Sequence, residues 1–225
     1  RFYRHNSQRV PSLTGQVVPE PVFSRTDYER HIFQVMYRDI APFDTDKILC
    51  HEWLNSRGAI ARFDRNAIEI RVLDVQETPA ADIAICEAIV SVLKLLVSEC
   101  WTSYAEQQQV ATEPLAQLLD TTVRQAERAV VESPLILRQF GLEHTQQTAQ
   151  SIWSILVEQV ANEITNIGPL QAILEQGPLA RRIERALLAP PIADAAHVAS
   201  ARVETGDVQP KPIAHERLKE VYQQF

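Results

Sequence analysis

The chain has 225 residues, 45% of them hydrophobic and 23% charged, and a formal net charge of −7 at pH 7. That is length enough for a sizeable core and the ordinary composition of a globular protein, one domain or one with an appendage. The acidic balance excludes a nonspecific nucleic-acid binder, whose affinity rests on counterions displaced at a basic surface, but it leaves room for local positive patches that bind ATP.

Residues 1–25 are punctuated by Pro11, Gly15, Pro19 and Pro21 and show little periodicity. They read as an ordered loop crossing a sheet, with a short extended piece at Gln16-Val17-Val18. Arg4, His5, Asn6 and Arg9 are available there for a phosphate or carboxylate, or form a solvated polar loop. A helix follows over residues 26–40, capped by Thr26, with Ile32, Val35, Met36 and Ile40 as its apolar stripe and Ala41-Pro42 as its stop. Asp44, Thr45 and Asp46 turn the chain into a predicted strand over residues 47–54, with His51 and Glu52 on opposite faces and Trp53 in the core. Either His51 or Glu52 is a candidate metal ligand, although a lone strand histidine reads more readily as a hydrogen-bonded structural group. Residues 55–58 form a turn, from which Arg57 reaches toward a substrate at the rim of the sheet.

Residues 59–74 read as two strands and a tight polar turn, and the rest of the chain is arranged around them. Ile68, Ile70 and Val72 alternate with Glu69, Arg71 and Leu73, so a period of two sends the apolar set to one face. The other face carries a carboxylate and a guanidinium about 7 Å apart along one strand. A two-residue turn at Arg65-Asn66 puts Arg62 opposite Glu69; a longer loop offsets it. A surface ion pair on a solvated face is one reading. Two arginines and a glutamate on one rigid face also suit a metal ion and the phosphates that it bridges.

Thr78 and Pro79 open a helix that runs to about residue 105 and is apolar nearly all round. It is expected to pack against Ile68, Ile70 and Val72, each burial contributing about 1.5–3 kcal/mol before entropy. The second half reads as a helical bundle. One helix from Thr112 carries Leu115, Leu118, Leu119, Val123, Ala126 and Val130; a shorter one over residues 134–140 stops at Gly141. The stripe Ile152, Leu156, Val160, Ile164 ends at Gly168-Pro169, and two short helices are parted by Gly177-Pro178. Arg181, Arg182 and Arg185 read as a solvated basic face rather than a docking site for an anionic partner. Residues 205–212 read as a linker to a final amphipathic helix with Leu218, Val221, Tyr222 and Phe225, docking on the body or on a second subunit.

Cys50, Cys86 and Cys100, widely spaced and without a CxxC pair, read as buried reduced thiols of a cytoplasmic protein. The most apolar window, residues 83–97, contains Glu87 and Lys94 and is shorter than the roughly 20 residues of a membrane span. No signal peptide, Walker loop, dinucleotide glycine fingerprint or GxSxG elbow appears. The chain opens on Arg1 within a motif, without an initiator Met, as a fragment or a trimmed chain would.

Arg62 followed by Ala67-Ile68-Glu69-Ile70-Arg71-Val72-Leu73-Asp74-Val75-Gln76 resembles the signature hairpin of the glutamate–cysteine ligase type 2 family of carboxylate–amine ligases, and residues 1–15 extend the likeness to roughly residues 1–100. The resemblance implies an α+β fold: an antiparallel sheet fragment like that of glutamine synthetase, packed on helices, with a largely α-helical C-terminal half. On this reading residues 1–110 are the C-terminal part of the catalytic domain, 111–204 a helical bundle, and 205–225 the linker and terminal helix. The implied activity joins an amino acid or other carboxylate to an amine, using ATP and Mg²⁺, through an acyl phosphate. Glu69 would be the metal ligand, Arg62 and Arg71 the catalytic cations, and Arg4, Arg9 and Arg57 contacts for substrate or phosphate, with His51 a weaker candidate. Family members are longer at the amino end, so the missing N-terminal half of the same protein is an implied partner, with a homo-oligomer a further one and nucleic acid and membrane none. The alternative is a non-catalytic helical interaction domain whose hairpin completes another chain's sheet.

Overall fold

The computed structural model describes residues 3–5, 7–143 and 145–189; the expected linker and terminal helix, and the side chain of Arg4, lie outside the described residues. Short 3-10 turns at Tyr3–His5 and Pro11–Leu13 shape the amino-terminal loop. The segment before the hairpin holds this loop in place. Ser56 N–H donates to Leu13 O and Gly58 N–H to Val17 O, both at 2.7 Å. Val17 sits at φ 72°, so the expected extended piece is a kinked Gln16–Val18 bridge.

Ser24, rather than Thr26, caps the first helix, its Oγ accepting from Asp27 N–H at 3.1 Å. The helix runs through α1 (Arg25–Tyr28), a π-turn (Glu29–Phe33) and α2 (Gln34–Ile40), then closes in a 3-10 turn, Ala41–Phe43. Ile32 and Met36 are fully buried, as the stripe requires.

The predicted strand at 47–54 does not form. The Asp44 carboxylate accepts from the N–H groups of Ile48 (2.9 Å) and Leu49 (2.8 Å), and Lys47 turns left-handed at φ 55°. These bonds hold the backbone in a loop that ends in the 3-10 turn Glu52–Leu54. Trp53, expected in the core, is 44% exposed, and Cys50, Cys86 and Cys100 are all free and exposed rather than buried.

The hairpin pairs β1 (Ala59–Arg62) with β2 (Ala67–Ile70), antiparallel, with Arg62 opposite Ala67 and Ile60 opposite Glu69. The loop is therefore four residues, not two: a 3-10 turn, Phe63–Arg65, and then Asn66 at φ 49°. A shift of two residues preserves the parity of the faces. Which face is covered differs from expectation. Ile68, Ile70 and Val72 are 70%, 37% and 43% exposed, whereas Ile60 on the charged face is 2% exposed. The first helix, not the long one, packs on β1, on the side of the strand that Ala61 shares with Ile68. Tyr28 Oη accepts from Ala61 N–H (3.1 Å) and Asn55 Nδ2 (2.9 Å), and Ala61 packs into the cluster of Tyr28, Phe33 and Phe63. β2 is left on the outside.

The long helix α3 (Pro79–Val97) starts at the expected cap, Thr78 Oγ1 accepting from Ala81 N–H at 3.2 Å, but stops eight residues early as Glu99 adopts φ 55°. Its buried face is Ala81, Ala84, Ala88 and Val92. α4 (Tyr104–Gln107) is closed by a Ser103–Glu106 capping box, and α5 (Thr112–Gln125) follows. β3 (Val130–Val131) and β4 (Gln147–Thr148) pair antiparallel around α6 (Pro134–Arg138). α7 (Ala149–Val160), α8 (Gly168–Gln176) and α9 (Leu179–Leu188) complete the described chain. Gly168-Pro169 opens α8 rather than ending α7.

Ile152, Leu156, Val160 and Ile164 are all buried and share one core with Ala84, Ala88 and Val92. α3 thus packs on α7 and α8, where its alanines let the helices approach, and not on the hairpin's exposed isoleucines. The architecture is α+β, dominated by helices, with two two-stranded antiparallel sheets among the described residues.

Arg57 is the joint of the amino-terminal half. It is 3% exposed, holds the Glu20 carboxylate through Nε (2.5 Å) and Nη2 (2.6 Å), and donates Nη1 to Ser12 O (3.2 Å) and Asn55 Oδ1 (3.1 Å). Replacing it by Leu leaves buried acceptors unmatched, and we expect a loss of about 3 kcal/mol in urea denaturation with the slope unchanged. A loss below about 0.5 kcal/mol would show that the clamp is dispensable.

Candidate functional site

Because residues 60, 62, 67 and 69 share a face, β1 and β2 bring Arg62 and Glu69 together diagonally. Arg62 Nη1 donates to Glu69 Oε2 at 2.7 Å. The 3-10 turn returns Asp64 to the same guanidinium, which reaches both Asp64 oxygens through Nε and Nη2 at 3.2 Å. Glu52 stands 3.8 Å from Arg62 Nε and also accepts from Asp64 N–H at 3.3 Å. One position past β2, Arg71 donates Nε to Glu69 Oε1 at 2.7 Å and Nη2 to Trp53 O at 3.2 Å. Glu69 therefore bridges two guanidinium groups with its two oxygens. Arg65 approaches Asp64 at 3.6 Å, so three arginines face three carboxylates and the cluster is neutral when all six are ionised.

Exposure grades across the group. The side chains of Arg62, Arg71 and Glu69 are 10%, 22% and 38% exposed, so the array opens to solvent at its Glu69 side. Hydrogen bonds from Arg62 and then Arg71 hold the Glu69 carboxyl below the usual glutamate range. The bond from Arg62, then that with Glu52, lowers Asp64. Burial, followed by the hydrogen bond with Asp64, raises Glu52, so the first proton taken up on acidification sits on Glu52, between it and Asp64.

The other sequence candidates lie elsewhere. Arg57 is buried in its clamp with Glu20 and does not reach the rim of the sheet. Arg9 lies over the Phe43 ring, 5.8 Å from its centroid. His51 is exposed and stacks on Trp53, with ring centroids 6.4 Å apart. Asp64, Glu52 and Arg65 are the members that the sequence left out of the array. Asp64, two residues after Arg62 in a turn, carried a local signal for a bidentate pair; Glu52 was legible only once the 47–54 loop was known.

Among the described residues, no group of three or more His, Cys, Asp or Glu side chains is placed to hold a metal ion. Glu69 and Asp64 are 38% and 50% exposed with both oxygens at the array, and Glu69 is the one placed between two arginines on the strand face. A donor set of one carboxylate suits an Mg²⁺ ion that keeps waters and takes phosphate oxygens for its remaining ligands. Also among the described residues, no helix is long and apolar enough to cross a membrane.

Comparison with protein-family models returns no match, and no solved structure matches. A protein of Archaeoglobus fulgidus, described only as uncharacterized, is 33% identical over 123 residues, which is 55% of this chain and 30% of the relative. The match thus spans less than a third of that protein's length.

A carboxyl with a depressed pKa in the folded state adds stability that is complete above its unfolded value and is lost as pH falls through the folded one. Glu69→Gln should therefore flatten the fall of melting temperature below about pH 4.3. Parallel curves for mutant and wild type would show that Glu69 is not tied to the arginines in solution.

Proposed function

We propose that the chain is the carboxy-terminal part of an ATP-dependent carboxylate–amine ligase, similar to glutamate–cysteine ligase, with a glutamine-synthetase-like sheet fragment as its active surface. The observation that carries this reading is the Arg62–Glu69–Arg71 array, held on one half-open hairpin face within the motif that resembles that family. In the reaction a carboxylate oxygen of glutamate, or a similar acid, attacks the γ-phosphorus of ATP, giving an acyl phosphate and ADP. The amine of cysteine or another amine then attacks the acyl carbon and expels phosphate.

Phosphoryl transfer of this kind needs positioning and fixed positive charge rather than a protein nucleophile. Arg71 is the more open of the two arginines and would hold the transferring phosphoryl group or the substrate carboxylate. Arg62, fixed in place by Asp64, would neutralise charge beside it. Glu69 would hold Mg²⁺, which when bound neutralises charge on the nucleotide phosphates. In the unliganded array Glu69 already compensates both arginines, so a phosphate competes with it for their donors. Arg9 and Arg57 are not part of this array, the side chain of Arg4 lies outside the described residues, and the N-terminal half of the protein would supply the remaining ligands.

A second reading has its own observation. Ile68, Ile70 and Val72 leave an apolar face exposed on a strand that has no second neighbour among the described residues. That favours a hairpin completing another chain's sheet, with the helical half as an assembly domain.

Turnover separates the two. ADP release from ATP and glutamate would be followed against a panel of amines, with the chain joined to the N-terminal portion that the ligase reading requires. Glu69→Ala should lower it by about a hundredfold or more, assayed where circular dichroism shows the variant still folded, and Arg71→Lys, which keeps the charge but loses the planar fork, by about tenfold. Equal turnover in Glu69→Ala, or amine-independent ADP release in wild type, rejects the ligase reading.

A further inference from the structure

A cleft of about 410 Å³ lies between the tail of the hairpin and the helical bundle, walled by residues of α3, α5, α7 and α8 and closed at one end by Pro178. Its floor is buried, with Ala88, Val157 and Leu170 at 2%, 4% and 6% exposure. Its rim is open, with Trp153, Val72 and Leu73 at 39%, 43% and 46%. That volume and apolar, concave form fall in the range of small-molecule sites.

Most of the polar side chains in its wall are turned to protein partners. Thr122 Oγ1 bonds back to Leu118 O (3.1 Å) and Leu119 O (2.8 Å) of its own helix, and the Gln150 amide bonds to Leu174 O. Glu127 is the one ionised residue among those that line the cleft. Its Oε1 takes Arg181 at 3.0 Å and Arg128 at 3.4 Å, and its Oε2 is buried without a hydrogen-bond partner. A charged or strongly polar occupant would lose its hydration to a mostly apolar wall, whereas apolar surface buried here gains about 25 cal/mol per Å².

The wall is also held under strain. Ala126, a lining residue without glycine's freedom, sits at φ 51°, ψ −124° beside Glu127. Such a conformation persists only where the surroundings fix it, and here they include the Glu127–Arg181 bond, which ties α9 to the end of α5. Arg182 ties the same helix to Glu77 in the hairpin tail at 2.8 Å. Of the three arginines expected to form a solvated face, Arg185 is exposed, whereas Arg181 and Arg182 are 16% and 12% exposed and fix the two sides of the cleft relative to each other.

We propose that this cleft binds an uncharged, lipophilic small molecule. The full 225-residue chain can be titrated with the neutral dye N-phenyl-1-naphthylamine and, in parallel, with the anionic 8-anilinonaphthalene-1-sulfonate. Saturable one-site binding of the neutral dye is expected, with the anionic dye weaker by about tenfold or more. Ala149→Phe, which fills the cleft from the start of α7, should cut neutral-dye affinity by about tenfold. Leu73→Glu, at the exposed rim where folding is not at stake, should do the same by adding a charge. The proposal is overturned if the neutral dye does not saturate, if the two dyes bind alike, or if both variants bind as wild type. It is equally overturned if sedimentation shows the chain dimerising through this cleft with loss of dye binding, since a second copy is then its occupant.

Discussion

A guanidinium that is nearly out of water must be surrounded by carboxylates, and Arg62 meets that condition from three sides. Much of the hairpin follows from it. Asp64 can reach both Nε and Nη2 because the loop is a 3-10 turn closed by a left-handed Asn66, so the turn has four residues and sets Ile60, not Arg62, opposite Glu69. Ile60 is buried beside Arg62, so the charged face is closed along β1 and open at Glu69 on β2. Arg71 is then drawn onto Glu69 from beyond the strand and fastened to Trp53 O, which joins the 47–54 loop to the array.

The elements of this fold were legible where a local signal stands alone. Period-two alternation marks the two strands, Thr78-Pro79 marks the start of α3, and Ile152, Leu156, Val160 and Ile164 mark a stripe that is buried throughout. The direction in which the hairpin faces was not legible. Its two faces are chemically opposite, and the ordinary rule buries the isoleucines. Tyr28 binds the backbone of β1 and brings its aromatic cluster onto Ala61, so the cover falls on the inner strand and leaves Ile68 and Ile70 of β2 outside. Residues 47–54 carry strand-like residue types, yet two hydrogen bonds to the Asp44 side chain outweigh that propensity.

The array itself was legible as three residues, Arg62, Glu69 and Arg71, and as one face. Its second half was not, since Glu52 joins through a loop that the sequence reads as a strand. Arg57 shows the converse. Its place beside a turn suggested an open rim, but a buried acceptor set of Ser12 O and Asn55 Oδ1, with Glu20 beside it, makes it a structural cation. On α9, pairing with Glu127 and Glu77 likewise makes Arg181 and Arg182 long-range ties, although Arg181 also meets Glu184 within its own helix.

The central claim is that the hairpin's charged face meets a magnesium-bound triphosphate. Calorimetric titration of the chain with ATP, with and without Mg²⁺, tests it without requiring turnover. Our account expects saturable one-to-one binding that needs Mg²⁺ and disappears in Arg71→Met. No binding, or binding unchanged by loss of Mg²⁺ and of Arg71, would contradict it.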